Sequence, residues 1–298
     1  MADDSPSGST ATHTFATTPA GTAFFAAYDA VLGQWPVAVE SRDVPSPYGS
    51  THVQIAGPAD GVPLVLLSGA GSTSTVWFGN VADLTRRHRV YAVDTIGDAG
   101  RSMHDGRPIR RLADLMDWLD GLFDGLGLAH ADLCGHSYGG YLALNYVLHA
   151  PHHIGRLALL DPNQCFAGTS LRYLLRAVPL LVRPTAARER SFVEWETGGL
   201  PVDPAWLRLA SLGAADFPKS KVVMARRPAA GRLRDCTVPT LVLLAGRSRT
   251  HDVGKVAANA VRLLPDVVTD TLPAASHHSL PEVDAAPLNR VLVDFLGG

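Results

Sequence analysis

Short apolar runs bounded by turn-forming residues recur along the chain and alternate with longer stretches in which apolar residues return every three or four positions. The runs predict strands at 51–56, 63–68, 89–94, 130–134, 155–161, 239–245 and 267–272. Several of them, such as PLVLLS at 63–68, are apolar at successive positions, as a strand covered on both faces must be. The alternation therefore predicts an α/β architecture, a mostly parallel sheet flanked by helices. RLADLMDWLDGLFDGLGL at 111–128 has the period of an amphipathic helix and ends in glycine. SYGGYLALNYVLHA at 137–150 reads as a more buried helix stopped by Pro151, and NRVLVDFL at 289–296 predicts a last helix.

The strand and helix rhythm breaks between 163 and 237, where helical patterns and several prolines follow one another without a strand. This division predicts one core, residues 21–162 and 238–298, and a helical cap at 163–237. An insertion that leaves after one sheet strand and returns before the next lies at the carboxyl ends of the strands, where α/β sheets bind ligands, so a lid over a pocket is expected. Residues 1–20, rich in Ser, Thr and Ala, read as a disordered tail, without the basic start and apolar run of a secretory signal.

Bulk composition narrows the function classes. Apolar residues make up 46% of the 298 positions and charged residues 18%, enough for a large core. A formal net charge of −2 offers no general field for nucleic acid or an anionic membrane, and neither is expected as a partner. No run approaches the ~18 apolar residues of a membrane span. Three cysteines, Cys134, Cys165 and Cys236, lack metal-ligand spacing and fit a reduced, cytoplasmic protein. The histidines of HAPHH at 149–153 are interrupted by Pro151, and no phosphate-loop or dinucleotide motif is present, so neither metal nor cofactor is expected.

The chemistry concentrates around LCGHSYGGYLAL at 133–144. Ser137 stands in Gly-x-Ser-x-Gly between a predicted strand and a predicted helix. There a nucleophile projects from a tight turn, and the flanking Gly135, Gly139 and Gly140 let the strand and helix backbones pass closely. The helix N-terminus favours negative charge beside it, and the N–H of Tyr138, the next residue, is placed to meet an oxyanion. A serine hydroxyl needs a base within hydrogen-bond reach, and the base needs an orienting acid. His277 and His278, in LPAASHHSLPEV after the last predicted strand, are the candidate bases.

In these motifs the chain resembles proteins of the α/β-hydrolase fold, with the order Ser137, Asp252, His278 following the family's chain order. The family's loop histidine usually follows Gly and is often followed by x-x-Pro. His278-Ser279-Leu280-Pro281 fits that register, with His277 in place of the Gly. The resemblance implies His278 as base, with His277 the alternative. It places the acid in the loop after the penultimate strand, commonly three residues beyond a Gly; here that position is Arg249, and Asp252 is the first acid in the loop. Some members carry the acid after the preceding strand, which makes Asp161 the alternative. The second oxyanion donor is implied at Ala70, in Ser68-Gly69-Ala70-Gly71, where Ser68 replaces the family's common His. The stretch VDTIGDAGRS at 93–102 resembles a loop that shapes the site's flank, and Trp77 is expected to be packing.

The resemblance thus implies a serine hydrolase, carboxylesterase-like, cleaving an ester, thioester or lactone of a small, partly apolar molecule through an acyl-enzyme on Ser137. The same architecture also serves lyases, acyltransferases and cyclases, and a non-catalytic binding module could keep the pocket. Leu171, Leu174, Leu175, Leu180, Leu181, Phe192, Trp195 and Trp206 in the cap point to a substrate with an apolar part. Oligomeric state is left open.

Overall fold

The computed structural model describes residues 14–218, 223, 226–282 and 285–297. Its strands are β1 (Val39–Ser46), β2 (Gly49–Ala56), β3 (Val62–Leu67), β4 (His88–Val93), β5 (Ala131–His136), β6 (Ile154–Leu160), β7 (Thr240–Ala245) and β8 (Val267–Leu272). They form one sheet in the order β1-β2-β4-β3-β5-β6-β7-β8. The first two pairings, β1 with β2 and β2 with β4, are antiparallel, and the rest are parallel. All six residues of β5 and all six of β7 are buried, as strands covered by helices on both faces must be.

Around the sheet lie α1 (Pro19–Leu32), α2 (Val81–Leu84), α3 (Leu112–Leu126), α4 (Tyr138–His149), α9 (Val253–Leu263) and α10 (Ala285–Gly297). Between β6 and β7 come the insertion's helices, α5 (Leu171–Val182), α6 (Ala186–Thr197), α7 (Pro204–Asp216) and the short α8 (Ala230–Arg234). The amphipathic helix expected at 111–128 is α3, which buries Leu115, Trp118, Leu119 and Leu122 and ends at Gly127 with φ of 71°. Among the described residues no helix is long and apolar enough to cross a membrane.

β1 and α1 are among the elements that escaped the pattern of the sequence. β1 is an edge strand, largely exposed and interrupted by Pro45, so it has no apolar run. α1 is fixed by tertiary packing, since Phe24 lies 4.8 Å from Phe217 just beyond α7, and Phe15 lies 5.3 Å from the same ring. This packing corrects the expected tail at 1–20: residues 1–13 lie outside those described, but Phe15 is buried and α1 begins at Pro19. Cys134, Cys165 and Cys236 are buried free thiols, and burial pushes all three pKa values up.

Candidate active site

The parallel strands end on one edge of the sheet, and that edge collects the chemistry. Ser137 follows β5 and has φ 54° and ψ −115°, a strained conformation for a residue with a side chain. The turn is held from outside, because Ser137 N–H donates to Leu160 O at 3.0 Å and its carbonyl accepts from Asn163 N–H at 3.2 Å. Two glycines make the turn sterically feasible. A Cβ on Gly135 would lie 2.4 Å from Gly139 O, and one on Gly139 would lie 2.2 Å from Leu67 O.

Beyond β8, residues 273–282 bring His277 to the serine. His277 Nε2 is 2.8 Å from Ser137 Oγ, and His277 Nδ1 is 2.6 Å from Asp161 Oδ2. A carboxylate only accepts, so the ring proton belongs on Nδ1 and Nε2 is left to accept the serine's O–H. Asp161, at the end of β6 with φ of 41°, is wholly buried. It also accepts from Ala245 N–H (3.2 Å), the Ser248 hydroxyl (2.7 Å) and His251 Nε2 (3.0 Å). Burial alone would raise its pKa, but the hydrogen bonds and charge of His251 and His277 outweigh it and hold the carboxyl well below its usual range.

The geometry therefore corrects two expectations. His278 does not reach Ser137; its Nδ1 lies 3.2 Å from Glu196 Oε2, and its ring edges against Phe192. Asp252 does not reach either histidine of that loop; it is exposed and caps α9, accepting from Lys255 N–H at 2.9 Å. The reason is local. The loop after β7 sends His251 and Ser248 inward toward Asp161, while Asp252 satisfies the first turn of the following helix. Arg249, at the position where the family pattern puts its acid, lies over the Trp195 ring at 5.0 Å and donates to Trp195 O, tying the insertion to the core.

Of the two backbone donors expected, Tyr138 opens α4 beside Ser137 and Ala70 lies in the loop after β3; both line the same cavity as Ser137. That loop is braced from both sides. Ser68, the residue in place of the family's common His, donates from Oγ to Ser72 O at 3.2 Å within the loop. Gly71 N–H donates to Asp98 Oδ2 at 2.6 Å, so the 93–102 stretch shapes the site's flank. Trp77 is fully buried.

Residues that sequence reasoning passed over hold the backbone around His277. His136, the x of Gly-His-Ser, donates from Nε2 to His277 O at 3.0 Å; burial, helped by the neighbouring His277, lowers its pKa to about 3, so it stays neutral. Glu196 on α6 accepts from the backbone N–H groups of His277 (3.2 Å) and His278 (2.9 Å) and from the His278 ring. Nothing in the local sequence around Glu196 announces this, because its partners lie 81 and 82 residues away.

Glu196 and His278 form a pair whose pH dependence is testable. Burial would raise the Glu196 pKa, yet the His278 hydrogen bond and charge outweigh it and bring it from 4.5 to about 2. For His278 burial opposes the charge, but Glu196 prevails and the pKa rises above 6.5. A depressed acid contributes stability above its unfolded value and loses it as pH falls through its folded value. A raised histidine contributes below its unfolded value and loses it as pH rises through its folded value. The melting-temperature deficit of Glu196→Gln is therefore expected to be largest between about pH 4.5 and pH 6.5, shrinking on both sides. A deficit that is flat from pH 3 to pH 9 (about six units, wider than both titrations) would contradict the pairing.

The cavity above Ser137 measures about 380 Å³ and joins the polar groups just described to an apolar wall from Val76, Tyr173, Leu174, Leu181 and Trp206. Among the described residues no cluster of three or more His, Cys, Asp or Glu is arranged to hold a metal ion. In HAPHH, His149 pairs with Asp120 at 2.8 Å and His153 donates to Ala129 O at 3.0 Å.

Residues 64–291 match the model of the "Alpha/beta hydrolase family". "Carboxylesterase YbfK" of Bacillus subtilis is 36% identical over 185 residues, which is 62% of this chain and 61% of that protein. "Uncharacterized carboxylesterase nap" of the same organism is 29% identical over 86% of this chain and 87% of that protein. The crystal structure of the Bacillus subtilis naproxen esterase superposes with a TM-score of 0.87 at 28% identity, covering 94% of this chain and 99% of that one.

Proposed function

This chain belongs to the alpha/beta hydrolase family, and from that membership we propose that it is a serine hydrolase cleaving a carboxylic ester of a small, partly apolar molecule. The observation that carries the reading is the hydrogen-bonded chain Ser137, His277, Asp161 at the floor of a cavity with a largely apolar wall. The similar carboxylesterases support ester as the bond class.

In the proposed reaction Ser137 Oγ attacks the ester carbonyl while His277 Nε2 takes its proton. Asp161 steadies the imidazolium through Nδ1–H. The N–H groups of Tyr138 and Ala70 receive the oxyanion, each such donor being worth about 3 kcal/mol of barrier. His277 then protonates the departing alkoxide, leaving an acyl-Ser137. Water activated by the same Nε2 attacks the acyl carbon, and collapse returns the serine and a carboxylic acid. The apolar wall takes the acyl or alcohol part; cap helices α5 and α7 supply Leu174, Leu181 and Trp206 to it, which favours their role as a lid. Its volume suits a drug-sized ligand or smaller.

A fluorophosphonate probe tests the nucleophile. Intact-mass measurement is expected to show a single adduct on the wild type, blocked by Ser137→Ala, with p-nitrophenyl butyrate turned over by the labelled protein only before labelling. A folded wild type that takes no adduct and turns over no ester would sink the proposal.

A further inference from the structure

Farther along α4 from Ser137, beside Tyr141 and Asn145, lies a second and larger cavity, a cleft of about 1010 Å³. Its lining includes five arginines, Arg110, Arg111, Arg226, Arg227 and Arg232, and no carboxylate among the described residues. This concentration is unlike the chain as a whole, whose formal net charge is −2. Asp114 offsets one of the charges, pairing with Arg111 at 3.1 Å, and Arg232 donates to Leu148 O at 2.8 Å. Arg110, Arg226 and Arg227 have no ion pair among the described residues.

Like charges gathered at one concavity repel one another, and an anion in the cleft relieves that repulsion while gaining several charge-assisted hydrogen bonds. The N-terminal turn of α3 adds little, because Asp114 already accepts from the N–H groups of Arg110 and Arg111. The guanidinium forks would therefore carry the binding, and planar forks match a phosphate's oxygens in pairs. The floor is of another kind. Ile109, Leu112, Tyr141 and Val223 present apolar surface, which suits a flat organic body rather than an inorganic ion.

We propose that this cleft binds a phosphate ester with an apolar, aromatic-sized body, the phosphate held by Arg110, Arg226 and Arg227 and the body lying on Tyr141 and Val223. The proposal stands apart from the ester-hydrolysis reading, but the two sites share a wall. Val223 lines both cavities, its carbonyl accepts from the Tyr138 hydroxyl at 3.1 Å, and Arg226 N–H donates to the Tyr141 hydroxyl at 3.2 Å. Tyr138 and Tyr141 stack with centroids 5.8 Å apart, so occupancy of the cleft bears on the residue next to Ser137.

The probe is 1-naphthyl phosphate, followed by its fluorescence at low salt, with 1-naphthol and inorganic phosphate as the two halves. Saturable binding at least about tenfold tighter than either half is expected, since each part of the cleft would be filled only by the whole ester. The double variant Arg226→Gln/Arg227→Gln should weaken it about tenfold or more. Arg208→Gln, an exposed charge change on α7, should leave it as it was. No saturable binding in the millimolar range, or equal weakening by Arg208→Gln, would overturn the proposal.

Kinetics on p-nitrophenyl butyrate then separate two sources of the phosphate. Competitive inhibition makes it part of the substrate, whereas a change in turnover without competition makes it a separate effector; either supports the site if the double variant abolishes it. Ser137→Ala should bind the probe normally, so a failed hydrolase reading and a failed cleft give different results.

Discussion

His277→Gln is expected to remove ester turnover almost completely, lowering kcat by about 10,000-fold to 1,000,000-fold, as loss of the base does in serine enzymes. His278→Gln is expected to stay within about tenfold of wild type, since it touches no reacting atom in the proposed reaction. The two substitutions are matched in chemistry and adjacent in sequence, so the contrast isolates position. His277 Nε2 lies 2.8 Å from Ser137 Oγ, whereas the His278 ring is spent on Glu196. Glutamine at 278 keeps a donor for that carboxylate, which limits the structural damage. Steady-state kinetics on p-nitrophenyl butyrate, with melting temperatures of both variants, provide the check. If His278→Gln proves the inactive one, the base has been misassigned.

The second large effect is expected at Asp161. Asp161→Asn should lower kcat by about 10,000-fold, because an amide nitrogen facing His277 Nδ1 stabilises the tautomer with its proton on Nε2. That tautomer cannot accept the serine's proton. Asp161 also anchors His251, Ser248 and Ala245, so some loss of melting temperature should accompany the kinetic defect. Asp252→Asn should leave both kcat and stability close to wild type, because asparagine caps a helix about as well as aspartate. Kinetics and thermal melts of the two variants side by side decide the matter; an inactive Asp252→Asn with an active Asp161→Asn would reverse the assignment.

The uneven legibility of the site has a physical basis. Ser137 could be read from sequence because its requirements are local: a strand, a helix and glycines at fixed spacing, each fixed by backbone sterics. His277 meets Ser137 across 140 residues and Asp161 across 116, so the identity of acid and base depends on the path of two loops. At His277 and His278 a one-residue change of register exchanges the residue facing Ser137 for one facing Glu196, and both carry the same side chain. For the acid, the loop after β7 offered Asp252, and only its service as the cap of α9 shows it to be otherwise engaged. Glu196 had no signal at all, since a glutamate on a cap helix looks like any solvated charge until the helix is docked.

What the sequence determined by itself was the α/β class, seven of the eight strands, the helical insertion after β6 and the serine at the turn between β5 and α4. These follow from periodicity and steric demands acting over a few residues. Tertiary structure alone decided the exposed edge strand β1, the docking of α1 on α7, the partners of Ser137 and the gathering of five arginines in one cleft. Each of these depends on which distant segments pack together, and the free energy that selects that packing is spread over the whole core rather than written at any one position.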